Sequence, residues 1–179
     1  VKKKSKLIAK LIVENRLNNQ LDTQGLVSLI EIAKREKIRN KTHPATKTFQ
    51  AIRMFVNKEI SQLIYGLINS FQILPIGGVL VVVTFHSIED KIVKFFFKNY
   101  SENKNTSRYL PDNNNKKKLI FKLDKKKPIY PSKEETKINP SSRSAKLRYA
   151  IKINNNKDFK SFVDKFKFYL NLEDLDKNL

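Results

Sequence analysis

The sequence predicts an α/β fold, and three observations carry that prediction. They are a long amphipathic helical pattern from about Thr46 to Leu74, a stop made by Pro75 and Gly77-Gly78, and the β-branched run Val79-Leu-Val-Val-Val83 directly after it. An apolar run without alternation suits a central strand covered on both faces. Helix, glycine turn and buried strand in that order suggest a parallel sheet with crossover helices. The 179 residues, 40% of them hydrophobic, supply one ordinary core or part of one, and not two full domains.

Before the long helix, Leu7, Ile8, Leu11, Ile12 and Leu17 share one helical face, with Lys6, Lys10 and Glu14 opposite. Asp22 or Thr23 offers an N-cap for a second helix carrying Leu26, Leu29, Ile30 and Ala33, which the basic stretch Lys34 to Lys41 ends. Two helices this short bury little by themselves. The long helix has the apolar stripe Phe49, Ile52, Val56, Ile60, Leu63, Leu67 and Phe71. After the β-branched run, Ser87 can cap a helix that continues through Lys98, with Asp90 as its capping-box partner and Ile88, Ile92, Val93, Phe96 and Phe97 facing inward.

Residues 101–118, rich in Asn, Ser and Lys, have the composition of a mobile loop. Leu119 to Leu123 forms a strand in this reading, and Ser132-Lys-Glu-Glu135 a capping box for a short helical turn. A clearer strand follows, in which Ala145, Leu147, Tyr149, Ile151 and Ile153 alternate with Lys146, Arg148, Ala150 and Lys152, giving one apolar and one basic face. These two strands can pair antiparallel at one side of the sheet. Asp158 to Leu170 is an amphipathic helix with Phe159, Phe162, Val163, Phe166 and Tyr169, expected as an appended element.

Lys and Arg number 37 against 17 Asp and Glu, a formal net charge of +20, which attracts polyanions such as nucleic acid or an anionic membrane surface. Abundant Lys, Asn and Ile can also follow compositional drift, so the Arg residues, at positions 16, 35, 39, 53, 108, 143 and 148, are the more informative cations. With no Cys there is no disulfide framework, thiolate metal site or cysteine nucleophile. His43 and His86 stand outside any H-x-H or H-E-x-x-H spacing, so no metal is expected. The Val79–Val83 run is too short to span a bilayer and no signal-peptide core opens the chain, so a cytoplasmic protein without a membrane partner is expected. The chain opens on Val1 inside a helical pattern, and its natural start is expected upstream.

Gln50, Arg53, Asn57 and Ser61 fall at helical spacing on one stripe, either a solvated face or a functional one. His86 stands where the apolar strand ends and the next helix begins, the rim where open α/β sheets bind ligands. It is a candidate general base, an RNA-contacting group or a histidine bonded within the fold. Arg143 and Arg148, with Lys146 between them, make a candidate phosphate-gripping cluster, with a solvated strand face as the alternative. The glycines at 25, 66, 77 and 78 form neither a G-x-G-x-x-G turn nor a P-loop.

Three blocks carry the reading further: HPATKTFQAIRMFVNKE at 43–59, GGVLVVVTFHSIEDKIVKFFF at 77–97 and NPSSRSAKLRYA at 139–150, with KKPIYPSKEET at 126–136 leading into the third. In order and spacing they resemble signatures of the MraW/RsmH family, methyltransferases that use S-adenosylmethionine to modify cytosine N4 in small-subunit ribosomal RNA. The resemblance implies a fold class of α/β, as the C-terminal half of a Rossmann-like methyltransferase domain preceded by the end of a helical substrate-recognition insertion. Residues 1–42 would end that insertion, 43–153 would form the half-domain, and 154–179 a helical tail.

The same resemblance implies S-adenosylmethionine as cofactor, with its glycine-rich loop and acidic partners outside this chain, so that no residue here is assigned to it and the chain alone is expected to be inactive. It implies Arg53, Asn57 and His86 on the substrate side of the pocket, and Lys47, Arg143, Lys146 and Arg148 toward RNA. Asp90, in the family's FHS-x-ED block, is expected to serve helix-start electrostatics. Lys47 and Lys91 stand where the family has Arg, exchanging a planar fork for a point charge. The implied partner is small-subunit ribosomal RNA or the assembled subunit, with a second copy of the chain as a further candidate. The alternative is a non-catalytic basic RNA-binding module.

Overall fold

The computed structural model describes residues 2–16, 21–34, 43–101 and 119–174. The chain divides into two compact units, Val1–Asn57 and Lys58–Leu179.

The first unit is helical: α1 spans Lys2–Arg16, α2 Thr23–Lys34 and α3 Thr46–Val56. Asp22 caps α2 as expected, its Oδ1 accepting the Gly25 N–H at 2.7 Å. The first two helices bury more than their length suggested, because the residues just before α3 join them: Ile8, Ile30, Ala33 and Ala45 form a small core, flanked by Leu11, Leu26 and Phe49. The chain beside Ala45 is fixed by polar contacts, with Lys34 Nζ donating to the Pro44 carbonyl and the Ala45 N–H donating to His43 Nδ1 at 3.1 Å. Of the basic stretch 34–41, all but Lys34 lies outside the described residues, as does Leu17.

The single helix expected from Thr46 to Leu74 is two, α3 and then α4 at Glu59–Ile73. Asn57 ends α3, its N–H reaching the Arg53 carbonyl at 2.9 Å, and Lys58 turns left-handed at φ 51° and ψ 39°. For a side-chain-bearing residue that geometry costs on the order of 1 kcal/mol. The break splits the predicted stripe: Ile60, Leu67 and Phe71 are buried, whereas Ile52 and Val56 are 40% and 67% exposed and Met54 is buried instead.

The second unit contains α4, β1 (Val79–Thr84), α5 (Ser87–Ser101), β2 (Phe121–Lys122), α6 (Lys133–Ile138), a 3-10 turn over Pro140–Ser144, β3 (Lys146–Lys152) and α7 (Lys160–Glu173). The mobile loop expected over 101–118 lies, apart from Ser101, outside the described residues. Ser132 caps α6 as predicted, accepting the Glu135 N–H at 3.0 Å.

The sheet order is β1-β3-β2, with β3 antiparallel to both neighbours. The expected antiparallel pair of later strands is present, but the expected parallel sheet is not what the described strands form. Among the described strands β1 is not the central one; β3 is. β1 pairs from Val79↔Ile151 to Thr84↔Lys146 and lies at the edge of the described sheet, with Val79, Val81 and Val83 about half exposed.

β3 has the two faces its alternation predicts, and it is the basic one that is buried. Arg148, Ala150 and Lys152 are buried, while Leu147, Tyr149 and Ile151 are only partly covered beside the three valines. The buried face meets an aromatic core in which Phe96 touches Phe97, Tyr100, Phe121, Phe159 and Phe162, with ring centroids 4.7 to 6.0 Å apart. The helix expected as an appendage therefore belongs to this core. Its last residue, Glu173, is 3% exposed and accepts the N–H groups of Ile60 at 3.1 Å and Ser61 at 2.7 Å, and the Ser61 hydroxyl. Those N–H groups are among the orphan donors that open α4, whose own N-cap, Lys58, offers no side-chain acceptor.

Candidate functional site

The strand rim predicted as a ligand site lies where β1 passes into α5, and its local bonding explains the residues found there. The helix begins at Ser87, which leaves His86, rather than Ser87, in the capping position. His86 Nδ1 accepts the Glu89 N–H at 3.3 Å, and Glu89 Oε2 accepts the N–H groups of Phe85 at 2.9 Å and His86 at 3.2 Å. This is a reciprocal capping box in which a histidine takes the place of Ser or Thr. Glu89, not Asp90, is the partner, because a capping box closes through the third helical residue.

The same bond sets the ring's tautomer. With Nδ1 accepting, the neutral imidazole carries its proton on Nε2, which lies 3.2 Å from Glu89 Oε1 and 3.9 Å from Glu59 Oε2. Glu59, His86 and Glu89 present ligand atoms within 4.8 Å of one another. A metal at Nε2 would have to move that proton to Nδ1 and break the cap. His86 is thus bonded within the fold through Nδ1, while Nε2 lies near the two carboxylates without a hydrogen bond, and only 11% of the side chain is exposed.

Asp90, in the first turn of α5, reaches across to β3. Arg148 Nε donates to its Oδ1 at 2.8 Å and Lys146 Nζ to its Oδ2 at 3.2 Å, while Arg148 Nη1 donates to the Lys126 carbonyl at 3.2 Å. Burial alone would push the Asp90 carboxyl up, but the hydrogen bonds and charges of Arg148 and Lys146 outweigh it and hold the group below its ordinary value. Asp90 thus does more than complement the helix dipole. Arg148 is 9% exposed and committed to this pair, whereas Arg143, on the 3-10 turn, and Lys47, on α3, face solvent. The neighbouring Arg143 and Arg148 are therefore divided between surface and interior.

Arg53 and Asn57 belong to the first unit and are exposed, Arg53 in the last turn of α3 and Asn57 at its C-cap. Ser61, from the same sequence stripe, lies beyond the helix break and bonds Glu173. Sequence reasoning missed Glu59, Glu89 and Glu173. A signal existed for Glu89, three residues after His86, but none local to Glu173, which acts on a helix more than a hundred residues away.

The glycines give no cofactor cradle. Gly25 and Gly66 lie within α2 and α4, and Gly77, at φ 85°, turns the chain into the start of β1, where its N–H joins the Lys152 carbonyl at 2.8 Å. A dinucleotide-type cradle needs a glycine loop after a strand and before a helix, and among the described residues none occurs. No described helix is long and apolar enough to cross a membrane.

Comparison with known proteins places these elements in context. The model of the MraW methylase family matches residues 2–153. The Ribosomal RNA small subunit methyltransferase H of Allorhizobium ampelinum is 46% identical over 110 residues, 61% of this chain and 32% of that protein. Its namesake in Rhizobium meliloti is 46% identical over 105 residues, 58% and 31% of the two chains, and that of Agrobacterium fabrum is 47% identical over 105 residues with the same shares. The matched region spans about a third of the length of these curated relatives.

Proposed function

This chain belongs to the MraW methylase family, and on that premise we propose that it forms the substrate-facing part of a methyltransferase acting on small-subunit ribosomal RNA. The reaction is transfer of a methyl group from S-adenosylmethionine to the exocyclic N4 of a cytosine. The observation that best supports this reading is that two separated signature blocks meet in space. Residues 77–97 and 139–150 supply β1, most of α5 and most of β3; the two strands pair along the whole of β1, and α5 is tied to β3 by the Asp90–Arg148 ion pair.

The cytosine amine is a weak nucleophile, so its reaction depends on orientation and on acceptors for its hydrogens. The base must be unpaired or turned out of its stack to enter a pocket. In this proposal the Asn57 carboxamide accepts a hydrogen bond from the amine, and Arg53 holds an adjacent phosphate or base carbonyl with its planar fork. His86 is a positioning residue that fixes the start of α5. Lys47 and Arg143 supply exposed contacts to RNA, and Asp90 holds Lys146 and Arg148 in place. The described residues do not fit S-adenosylmethionine, since they contain no glycine cradle between a strand and a helix.

The test is methyl incorporation into small ribosomal subunits by the enzyme carrying Arg53→Ala, Asn57→Ala or His86→Ala. Losses of about tenfold or more at Arg53 and Asn57 are expected. Unchanged rates at all three positions would remove the assignment.

A further inference from the structure

A second basic feature, sharing only Arg148 with the residues assigned above, lies on the side of α5 that faces the segment after β2. A pocket of about 290 Å³ is bounded by Lys94 and Lys98 of α5, Lys125, Lys126 and Lys127 of that segment, and Arg148 of β3, over an apolar floor that includes Phe97. Six of its nine lining side chains are thus cationic, and its lining contains no carboxylate. Lys94, Lys98, Lys125 and Lys127 are exposed, and none has a carboxylate partner among the described residues.

Geometry sets this pocket apart from a diffusely charged surface. Lys94 and Lys98 are one helical turn apart and so project from the same face of α5. The opposite wall is tethered, because Arg148, itself fixed by Asp90, donates to the Lys126 carbonyl at 3.2 Å. Lys125 and Lys127 therefore flank a pinned backbone position. Like charges gathered in a concavity over a low-dielectric floor focus a positive potential, which an entering anion relieves. Lysines are mobile point charges, suited to a chain of phosphates rather than to one planar group.

We propose that the pocket formed by Lys94, Lys98, Lys125 and Lys127 binds successive backbone phosphates of the RNA substrate, a sequence-independent contact that positions the strand. The inference rests on the ribosomal RNA reading above and adds a site that reading does not use.

The experiment is salt-titrated binding of a fluorescein-labelled single-stranded RNA oligonucleotide to the 179-residue chain, with circular dichroism confirming that each variant is folded. Lys98→Gln/Lys125→Gln is expected to weaken binding about tenfold and to reduce the slope of log K against log salt by about 1.4, two single-strand phosphate contacts. Lys98→Arg/Lys125→Arg retains both. The control Lys160→Gln/Lys167→Gln, equal in charge and exposed on α7, leaves the slope unchanged. Equal losses in the pocket and control variants would assign binding to net charge and overturn the proposal. So would displacement of the RNA by micromolar inorganic pyrophosphate, which would mark a small-anion site. If the unaltered chain binds RNA and the pocket variant binds equally well, only the pocket assignment fails. Absence of salt-dependent RNA binding in the unaltered chain counts against both the pocket and the ribosomal RNA reading.

Discussion

The two faces of the β1–β3 ribbon differ in a way that side-chain polarity alone would assign in reverse. The face toward α5 and the aromatic core carries Arg148 and Lys152 at 9% and 3% exposure, while the other carries Val79, Val81 and Val83 at about half exposure. The difference follows from where acceptors are available. Arg148 meets the Asp90 carboxylate, and Lys152 Nζ donates to the last carbonyls of α4, Phe71 O at 2.8 Å and Leu74 O at 2.6 Å, while lying 4.2 Å over the Phe71 ring. A helix C-terminus is a standing acceptor site for a cation, and a partly buried charge so matched is tolerated.

If that contrast is right, small changes on the cationic face cost far more than changes on the valine face. Asp90→Ala should have the largest effect, since it strands Arg148 without its counter-charge, and a loss of about 3 kcal/mol is expected from urea denaturation. Lys152→Met keeps the volume but leaves the Phe71 and Leu74 carbonyls without their donor, and about 2 kcal/mol should be lost in the same assay. Asp90 also gives the contrast a pH signature. Its folded-state value lies below the ordinary one, so its stabilisation is complete above that ordinary value and is lost as pH falls through the lower, folded value. Stability measured below about pH 4 should therefore fall less steeply in Asp90→Asn than in the unaltered chain. The smallest effect belongs to the other face, where Val81→Thr should change stability by less than about 0.5 kcal/mol. A larger loss would mean that the valine face is covered in solution.

The contrast also shows which features were legible in the sequence. Alternation along β3 correctly gave the strand and its two faces, but it could not say which face is buried. That depends on Asp90 and on the end of α4, which are distant in sequence. Asp22 and Ser132 were recognisable as caps because a cap acts on N–H groups two or three residues away. His86 was placed correctly at the strand rim, yet its bonding role was obscured because histidine is uncommon as a cap. The break at Lys58 left only weak signals, Asn57 as an indifferent helix former and Glu59 as a first-turn acid. In α7 the Phe periodicity was visible, but only the fold reveals that Phe159 and Phe162 complete the cluster around Phe96.

The functional account rests on the family match and on the signature blocks that β1, α5 and β3 bring together. Its most direct test is mass spectrometry of nucleosides from small-subunit ribosomal RNA, in the organism encoding this chain, with and without its gene. Loss of N4-methylated cytidine on deletion, restored by the unaltered gene and not by one carrying Arg53→Ala and Asn57→Ala, is the predicted result. Unchanged N4-methylcytidine in the deletion strain would contradict the account.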